Sequence, residues 1–230
     1  MKGRRIYLMR HGETLYQRVG TEGAIGNGAL TARGREQIAN ISLLFRAVDI
    51  DAIYSSPIER ASETAKIIAD EKRMKVEIVP DLREIMPDEN AIRDKSLENI
   101  FLKIQSFFKD CESSWDERYL GGETFREVYE RAGNFLESLT TMNDWKTVLV
   151  IAHGGFNNAL LAHATGMTEG RIFNIEQDFG CVNIVDFVDE RPFLRLANFT
   201  LYDQLKINLE EHSLDIILRL LKSHGMIGRD

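Results

Sequence analysis

Thr147-Val148-Leu149-Val150-Ile151-Ala152-His153-Gly154-Gly155 carries the clearest sign of the fold class. After Thr147 five apolar residues follow one another with no polar alternation. A strand wetted on one face alternates. A strand that does not is covered on both faces, as in the parallel sheet of an α/β protein. The run stops at a histidine followed by glycine. The N-terminal Ile6-Tyr7-Leu8-Met9-Arg10-His11-Gly12 repeats that order: apolar run, histidine, glycine. In open α/β sheets ligands bind beyond the carboxyl ends of the strands. Glycine there lets backbone N–H groups approach a ligand closely. Two of the chain's 5 histidines therefore stand where a ligand site belongs.

The rest of the chain fits around these two strands. Residues 52–54 and 76–79 read as further short strands. The stretch from Gly12 to Gly28 is glycine-rich and aperiodic, hence a long loop. Thr31 can cap a helix whose apolar face is Ile38, Ile41, Leu44, Phe45 and Val48. Ser56-Pro57-Ile58-Glu59 predicts a second helix start, with Ser56 as cap, Pro57 in the first turn and Glu59 closing a capping box. Residues 81–94 are polar and irregular. A strongly amphipathic helix over 95–109 carries Leu97, Ile100, Phe101, Ile104, Phe107 and Phe108. Thr124 and Glu127 form another capping box, ahead of the stripe Val128, Ala132, Phe135 and Leu139. A helix is predicted over 156–165, a late strand pair over 182–188 and 194–199, and a final helix over 213–222 with Leu214, Ile217, Leu218 and Leu221 on one face. Alternating strands and helices with no repeat or linker predict one α/β sheet sandwich.

Composition narrows the function. The chain has 230 residues, 29 basic and 36 acidic, for a net charge of −7. An acidic chain is a poor general binder of nucleic acid, so positive charge for an anionic ligand must be local. No apolar run reaches membrane-spanning length, and the N-terminus lacks the apolar core and cleavage site of a signal peptide. Cys111 and Cys181 form neither a disulfide framework nor a metal spacing, which predicts a reducing, cytoplasmic setting.

That local charge is at hand. Arg10 adjoins His11, and Arg60 falls in the first turn of the helix expected after Pro57. A helix N-terminus attracts anions, and a guanidinium fork matches phosphate oxygens. On position alone Arg60 also reads as a surface arginine, and Arg10 as half of a buried ion pair.

Leu8-Met9-Arg10-His11-Gly12-Glu13-Thr14 resembles the signature of the histidine phosphatase superfamily, whose fold is phosphoglycerate-mutase-like. Leu30-Thr31, Gly34, Gln37, Tyr54-Ser55-Ser56-Pro57, Arg60, Ala61, Thr64-Ala65, Gly121-Gly122-Glu123-Thr124 and 150–155 resemble its further blocks, in order, over residues 4–200. The resemblance implies a three-layer α/β sandwich with a mostly parallel central sheet flanked by helices. It also implies a helical cap inserted at about 86–120, within a single domain over 1–230 that ends in a helical extension from about 203.

The same resemblance implies the chemistry. His11 is the nucleophile that becomes phosphohistidine, with one ring nitrogen held by a backbone carbonyl. Arg10, Arg60 and His153 surround the phosphoryl oxygens with positive charge, and Gly154 or Gly155 adds a backbone donor. Glu84 in Leu82-Arg83-Glu84 is the general acid, with Asp88 and Glu89 as alternatives because the residues after Glu84 depart from the family pattern. Gln17 stands where many relatives bind phosphate through asparagine. Glu13 and Glu123 are further candidates, for orienting the arginines or touching substrate.

The expected activity is hydrolysis of a small phosphomonoester with no metal or other cofactor. A cofactor-dependent phosphoglycerate mutase is the second reading, disfavoured because residues 85–92 contain no basic residue to hold a bisphosphate. A non-catalytic phosphate-binding module is the third. A small phosphorylated substrate is the expected partner, with neither nucleic acid nor membrane. A homodimer through the final helix is an alternative to packing of that helix on its own sheet.

Overall fold

A computed structural model describes residues 3–15, 18–19, 24–25, 28–93, 95–109, 115–142, 144–167 and 175–206, together with 217, 219, 222 and 223. Strand β1 (Gly3–Arg10) leads through a small hairpin, β2 (Arg18–Val19) and β3 (Ala24–Ile25), into helix α1 (Ala32–Phe45). Then follow β4 (Ala52–Ser55), α2 (Glu59–Lys72), β5 (Val76–Ile78), the one-turn helix α3 (Glu89–Ile92) and α4 (Leu97–Lys109). The chain continues with α5 (Phe125–Thr141), β6 (Thr147–Ala152), α6 (Gly154–Thr165), β7 (Val182–Val188) and β8 (Arg191–Phe199).

Six strands form one sheet in the order β5-β4-β6-β1-β7-β8. The ladders β5·β4, β4·β6 and β6·β1 are parallel, whereas β1·β7 and β7·β8 are antiparallel. The sheet is therefore mixed, parallel on one side and closed by an antiparallel edge on the other. From β1 the chain steps to β4 on one side, and from β6 it steps to β7 on the other. That reversal opens a crevice above the carboxyl ends of β1, β6 and β4.

Alternation along the strands sorts the core into two layers. Ile6, Leu8, Val148, Val150 and Ala152 meet Val128, Ala132 and Phe135 of α5 and Phe156 and Leu160 of α6. Met9, Ile53, Leu149 and Ile151 meet Ile38, Ile41 and Phe45 of α1 and Ala61, Ala65 and Ile68 of α2. Burying each such large apolar side chain is worth roughly 1.5–3 kcal/mol. β6 has buried residues on both faces, as its unbroken apolar run requires.

Several local expectations need correction. Leu44, expected on the buried face of α1, is 49% exposed. The glycine-rich loop contains the β2–β3 hairpin. Ser56 and Glu59 make no capping box: Ile58 is the N-cap of α2, with no side-chain cap bond. Helix α6 begins at Gly154, two residues before the predicted start, with His153 at its N-cap. β8 begins at Arg191, joined to β7 by Asp189 and Glu190, both at positive φ (50° and 67°), in a two-residue turn. That turn lacks the usual Asn-Gly signal, and Pro192 is tolerated because β8 is an edge strand. The Thr31 cap and the Thr124–Glu127 box form as predicted.

No helix among the described residues is long and apolar enough to cross a membrane. In the expected final helix, Ile217, Arg219, Lys222 and Ser223 are helical, and Ile217 is buried. Leu214, Leu218 and Leu221 lie outside the described residues, as do the side chains of Phe107 and Phe108.

Candidate active site

The register of β1 against β6 creates the site. Arg10 pairs with Ala152, so the chain leaves both strands at one level. The His11 N–H donates to the Ala152 carbonyl at 3.2 Å, and the rings of His11 and His153 lie 5.1 Å apart. His11 is 1% exposed. Its Nδ1 is 2.8 Å from the Gly12 carbonyl, and its Nε2 is 3.0 Å from Nε of Arg60. A carbonyl can only accept, so Nδ1 carries the proton. Arg60 Nε–H can only donate, so Nε2 carries a lone pair. Two independent neighbours thus select one tautomer of a neutral imidazole. Burial, and then the charges of Arg60 and Arg10, hold His11 well below the ordinary histidine range.

Residues 177–181 wrap this corner. Arg10, buried, donates through Nη1 to the Gln177 carbonyl and lies over the Phe179 ring at 4.1 Å. Phe179 is 5.6 Å from the His11 ring, and Gly180 N–H donates to the His11 carbonyl at 2.9 Å. Asp178 receives the side chains of Asn198 at 2.9 Å and Lys206 at 2.6 Å. The Tyr202 hydroxyl donates to the Phe179 carbonyl at 3.2 Å. Cys181 is buried beside Arg10, whose N–H donates to its carbonyl at 3.2 Å. Burial pushes its thiol up to about 12, which makes it a poor nucleophile. Cys111 lies outside the described residues.

His153 is fully buried, with Nε2 at 2.9 Å from Oγ of Ser56. Its Nδ1 is buried with no hydrogen-bond partner among the described residues, a state that calls for a ligand atom. Burial first, then Arg60, His11, Arg10 and Arg131, hold His153 well below the ordinary histidine range. Arg10 and Arg60 bring the site's positive charge, and His153 in the protein alone is neutral. Two buried neutral histidines fix a pH dependence. Below about pH 6.5 the unfolded chain takes up protons that the folded chain does not, so stability falls as pH falls. Each histidine should cost up to about 1.4 kcal/mol per pH unit in that window. Urea denaturation in phosphate-free buffer at pH 7 and pH 5 should show this loss, and His11→Asn should roughly halve it. Equal stability at both pH values would contradict it.

Glu84 reaches the same corner from the loop after β5. Its Oε2 accepts the Gly155 N–H at 3.2 Å, and its Oε1 accepts Phe156 N–H at 3.3 Å and Ile85 N–H at 3.0 Å. The carboxylate therefore sits on the N-terminus of α6, next to His153. A Cβ on Gly155 would lie 2.6 Å from Oε1, so any larger residue would push the carboxylate from this position. The Gly155 N–H is thereby used by Glu84. Gly154 opens α6 beside the Arg10 guanidinium, 3.6 Å from where its Cβ would be. Asp88 instead caps α3, accepting Asn90 N–H at 2.9 Å, and Glu89 is exposed on that helix.

Gln17 lies outside the described residues. Glu13 does not orient the arginines of the site: it accepts the Thr31 hydroxyl at 2.8 Å and pairs with Arg33 at 3.7 Å. Glu123 does not touch Arg60 but pairs with Arg83 at 2.9 Å and Arg131 at 3.2 Å. Ser56, Phe179, Gln177 and Arg131 escape sequence reasoning. Only Arg131 carries a signal, a charge on the buried stripe of α5 between Val128 and Ala132. Among the described residues no group of three or more His, Cys, Asp or Glu is placed to hold a metal ion.

Residues 6–200 match the family model of the histidine phosphatase superfamily, branch 1. The chain is similar to the adenosylcobalamin/α-ribazole phosphatase of Escherichia coli (strain K12), 27% identical over 84% of this chain and 95% of that one. It is 25% identical to phosphoserine phosphatase 1 of Hydrogenobacter thermophilus, over 85% and 92% of the two chains. The crystal structure of the α-ribazole phosphatase from Shigella flexneri matches with a TM-score of 0.68 at 26% identity, over 84% of this chain and 96% of that one.

Proposed function

Because the chain belongs to the histidine phosphatase superfamily, branch 1, and is a phosphoric monoester hydrolase, we propose that it cleaves a small phosphomonoester through a phosphohistidine formed on Nε2 of His11, without a metal. The observation that carries this reading is the buried Nε2 lone pair, fixed by the Gly12 carbonyl on the far nitrogen and facing Arg60. Nε2 attacks phosphorus, the N–P bond forms, and the ester P–O bond breaks. The departing oxygen takes a proton from the Glu84 carboxyl. A water then gives its proton back to Glu84 and attacks phosphorus, the N–P bond breaks, and phosphate and free His11 result. Arg60, released from Nε2, and Arg10 carry the charge on the phosphoryl oxygens, while Nδ1 of His153 gains a partner. An arriving phosphate dianion also favours protonation of His153.

The phosphatase reading is preferred to a mutase because residues 85–92 offer no basic group, and Arg93 is exposed. The relatives act on chemically different phosphomonoesters by name, so the proposal extends to the class, a small phosphorylated metabolite. We assign choice within that class to the loop Gly12–Gly28 and the segment Met86–Tyr119, the latter within the expected cap. The stretch from 203 is proposed to pack on its own chain rather than to form a homodimer, supported by buried Ile217 and by the tie of Lys206 to Asp178. A reducing, cytoplasmic setting belongs to the same proposal, supported by the buried free thiol of Cys181. Hydrolysis of p-nitrophenyl phosphate should proceed unchanged in excess EDTA, and a panel of phosphomonoesters should then rank the natural class. Loss of activity in EDTA, restored by magnesium or manganese, would defeat the metal-free mechanism.

A further inference from the structure

Arg131 is buried on the apolar stripe of α5, where a leucine would be expected. Its Nη1 donates to the carbonyls of Asp81 at 2.6 Å and Arg83 at 2.8 Å, and its Nη2 to the Glu84 carbonyl at 3.2 Å. Its Nε and Nη2 also meet the two carboxylate oxygens of Glu123, each at 3.2 Å. Glu123 in turn accepts Met86 N–H at 2.9 Å and the Arg83 guanidinium at 2.9 Å. Its own N–H donates to the Met86 carbonyl at 2.8 Å. The backbone on both sides of Glu84 is therefore tied to one guanidinium–carboxylate pair.

Merely holding this loop against α5 does not require such a pair. Replacing a buried ion pair by apolar side chains of similar volume is often neutral or stabilising. Apolar packing, however, cannot orient peptide planes. A planar guanidinium with its donors in a rigid fork can, and here it meets the carbonyls of residues 81, 83 and 84 at once. Those planes set the direction in which the Glu84 side chain leaves the backbone, and its carboxylate ends on the N–H groups of Gly155 and Phe156. We infer that Arg131, backed by Glu123, is a positioning residue that aims the Glu84 carboxyl at the leaving-group side of the site. This rests on the reading of Glu84 as proton donor. Lysine at position 131 keeps the charge but loses the fork, so it cannot hold three carbonyls and a carboxylate together.

The test measures kcat/KM for phenyl phosphate and p-nitrophenyl phosphate, with Tm alongside, in Arg131→Lys, Glu123→Gln, Glu84→Gln and the Glu84→Gln/Arg131→Lys double variant. The two esters differ in the basicity of the departing oxygen, so only a displaced proton donor separates them. Arg131→Lys should lower phenyl phosphate turnover about 10–100-fold, the scale of a misplaced catalytic group, and p-nitrophenyl phosphate by no more than about threefold. In the double variant the lysine should add no selectivity beyond that of Glu84→Gln. Glu123→Gln should move the ratio the same way, and it carries the test by the same criteria if Arg131→Lys does not fold. Equal loss on both esters, or selectivity that persists undiminished when Glu84 is already glutamine, would overturn the inference. A Glu84→Gln variant that loses both esters equally overturns the reading of Glu84 and this inference with it. A selective Glu84→Gln beside an unselective Arg131→Lys overturns this inference alone.

Discussion

His11→Ala should abolish turnover, by roughly four orders of magnitude or more, while the chain still folds. The covalent route has no substitute for Nε2. His153 lies at ring distance, but its Nε2 is held at Ser56 and it leaves a different strand. The fold should survive because His11 stands just past the last residue of β1 and belongs to neither apolar layer. The variant leaves Arg60 without the ring nitrogen that accepts from its Nε. Phosphate added to the buffer should therefore raise the melting temperature of the variant, because an anion can take that place. Rapid quench into alkali, where the N–P bond survives, should trap labelled phosphate on wild-type protein and none on the variant. Turnover above about one per cent of wild type would contradict covalent catalysis, where a lost nucleophile removes far more.

Glu84→Gln should slow phenyl phosphate by about 10²–10⁴-fold, the usual worth of a positioned general acid. The loss on p-nitrophenyl phosphate should be much smaller, because nitrophenolate departs without a proton. The geometry adds a second effect. Both Glu84 oxygens accept backbone N–H bonds, from Gly155 on one side and from Ile85 and Phe156 on the other. A glutamine has one carbonyl oxygen, so its NH₂ group must face an N–H on one of those sides. Glu84→Asp should separate the effects, since it keeps the acid and shortens the reach. If Asp88→Asn or Glu89→Gln shows the selective loss instead, the proton donor has been misassigned. The structure argues otherwise, since the Asp88 carboxylate is used in capping α3.

Much of the fold is legible in local pattern. The unbroken run of β6 predicts burial on both faces, and its two faces do meet the two helical layers. Thr31 and Thr124 cap helices because their hydroxyls satisfy N–H groups a few residues away, a contact within the reach of local sequence. Ser56-Pro57-Ile58-Glu59 carries the same signal and misleads. The Ser56 hydroxyl accepts the Ile58 N–H at 3.2 Å, ahead of the helix rather than within it, and also meets His153, which is 97 positions away in the chain. The start of α6 at Gly154 was unreadable for a related reason. Two consecutive glycines disfavour a helix, yet glycine at position 155 leaves room for the close approach of the Glu84 carboxylate.

Local pattern was enough for the main parallel strands, the Thr31 and Thr124 caps, most of the apolar layers and the presence of His11, His153, Arg10 and Arg60 at strand and helix ends, because periodicity and capping are properties of neighbours in the chain. Which of these groups meet, and in which protonation state, depends on the fold. The register of Arg10 on Ala152 brings the two histidines together, and Gly12 and Arg60 choose the tautomer of His11. Desolvation lowers the proton affinity of His153, the Glu84 carboxylate docks on the α6 N-terminus while Asp88 caps α3, and Arg131 closes on three carbonyls from a separate helix. These are outcomes of burial and of contacts between residues far apart in the chain. Protonation and hydrogen-bond direction depend on the groups that surround an atom in space, which the order of residues along the backbone does not specify.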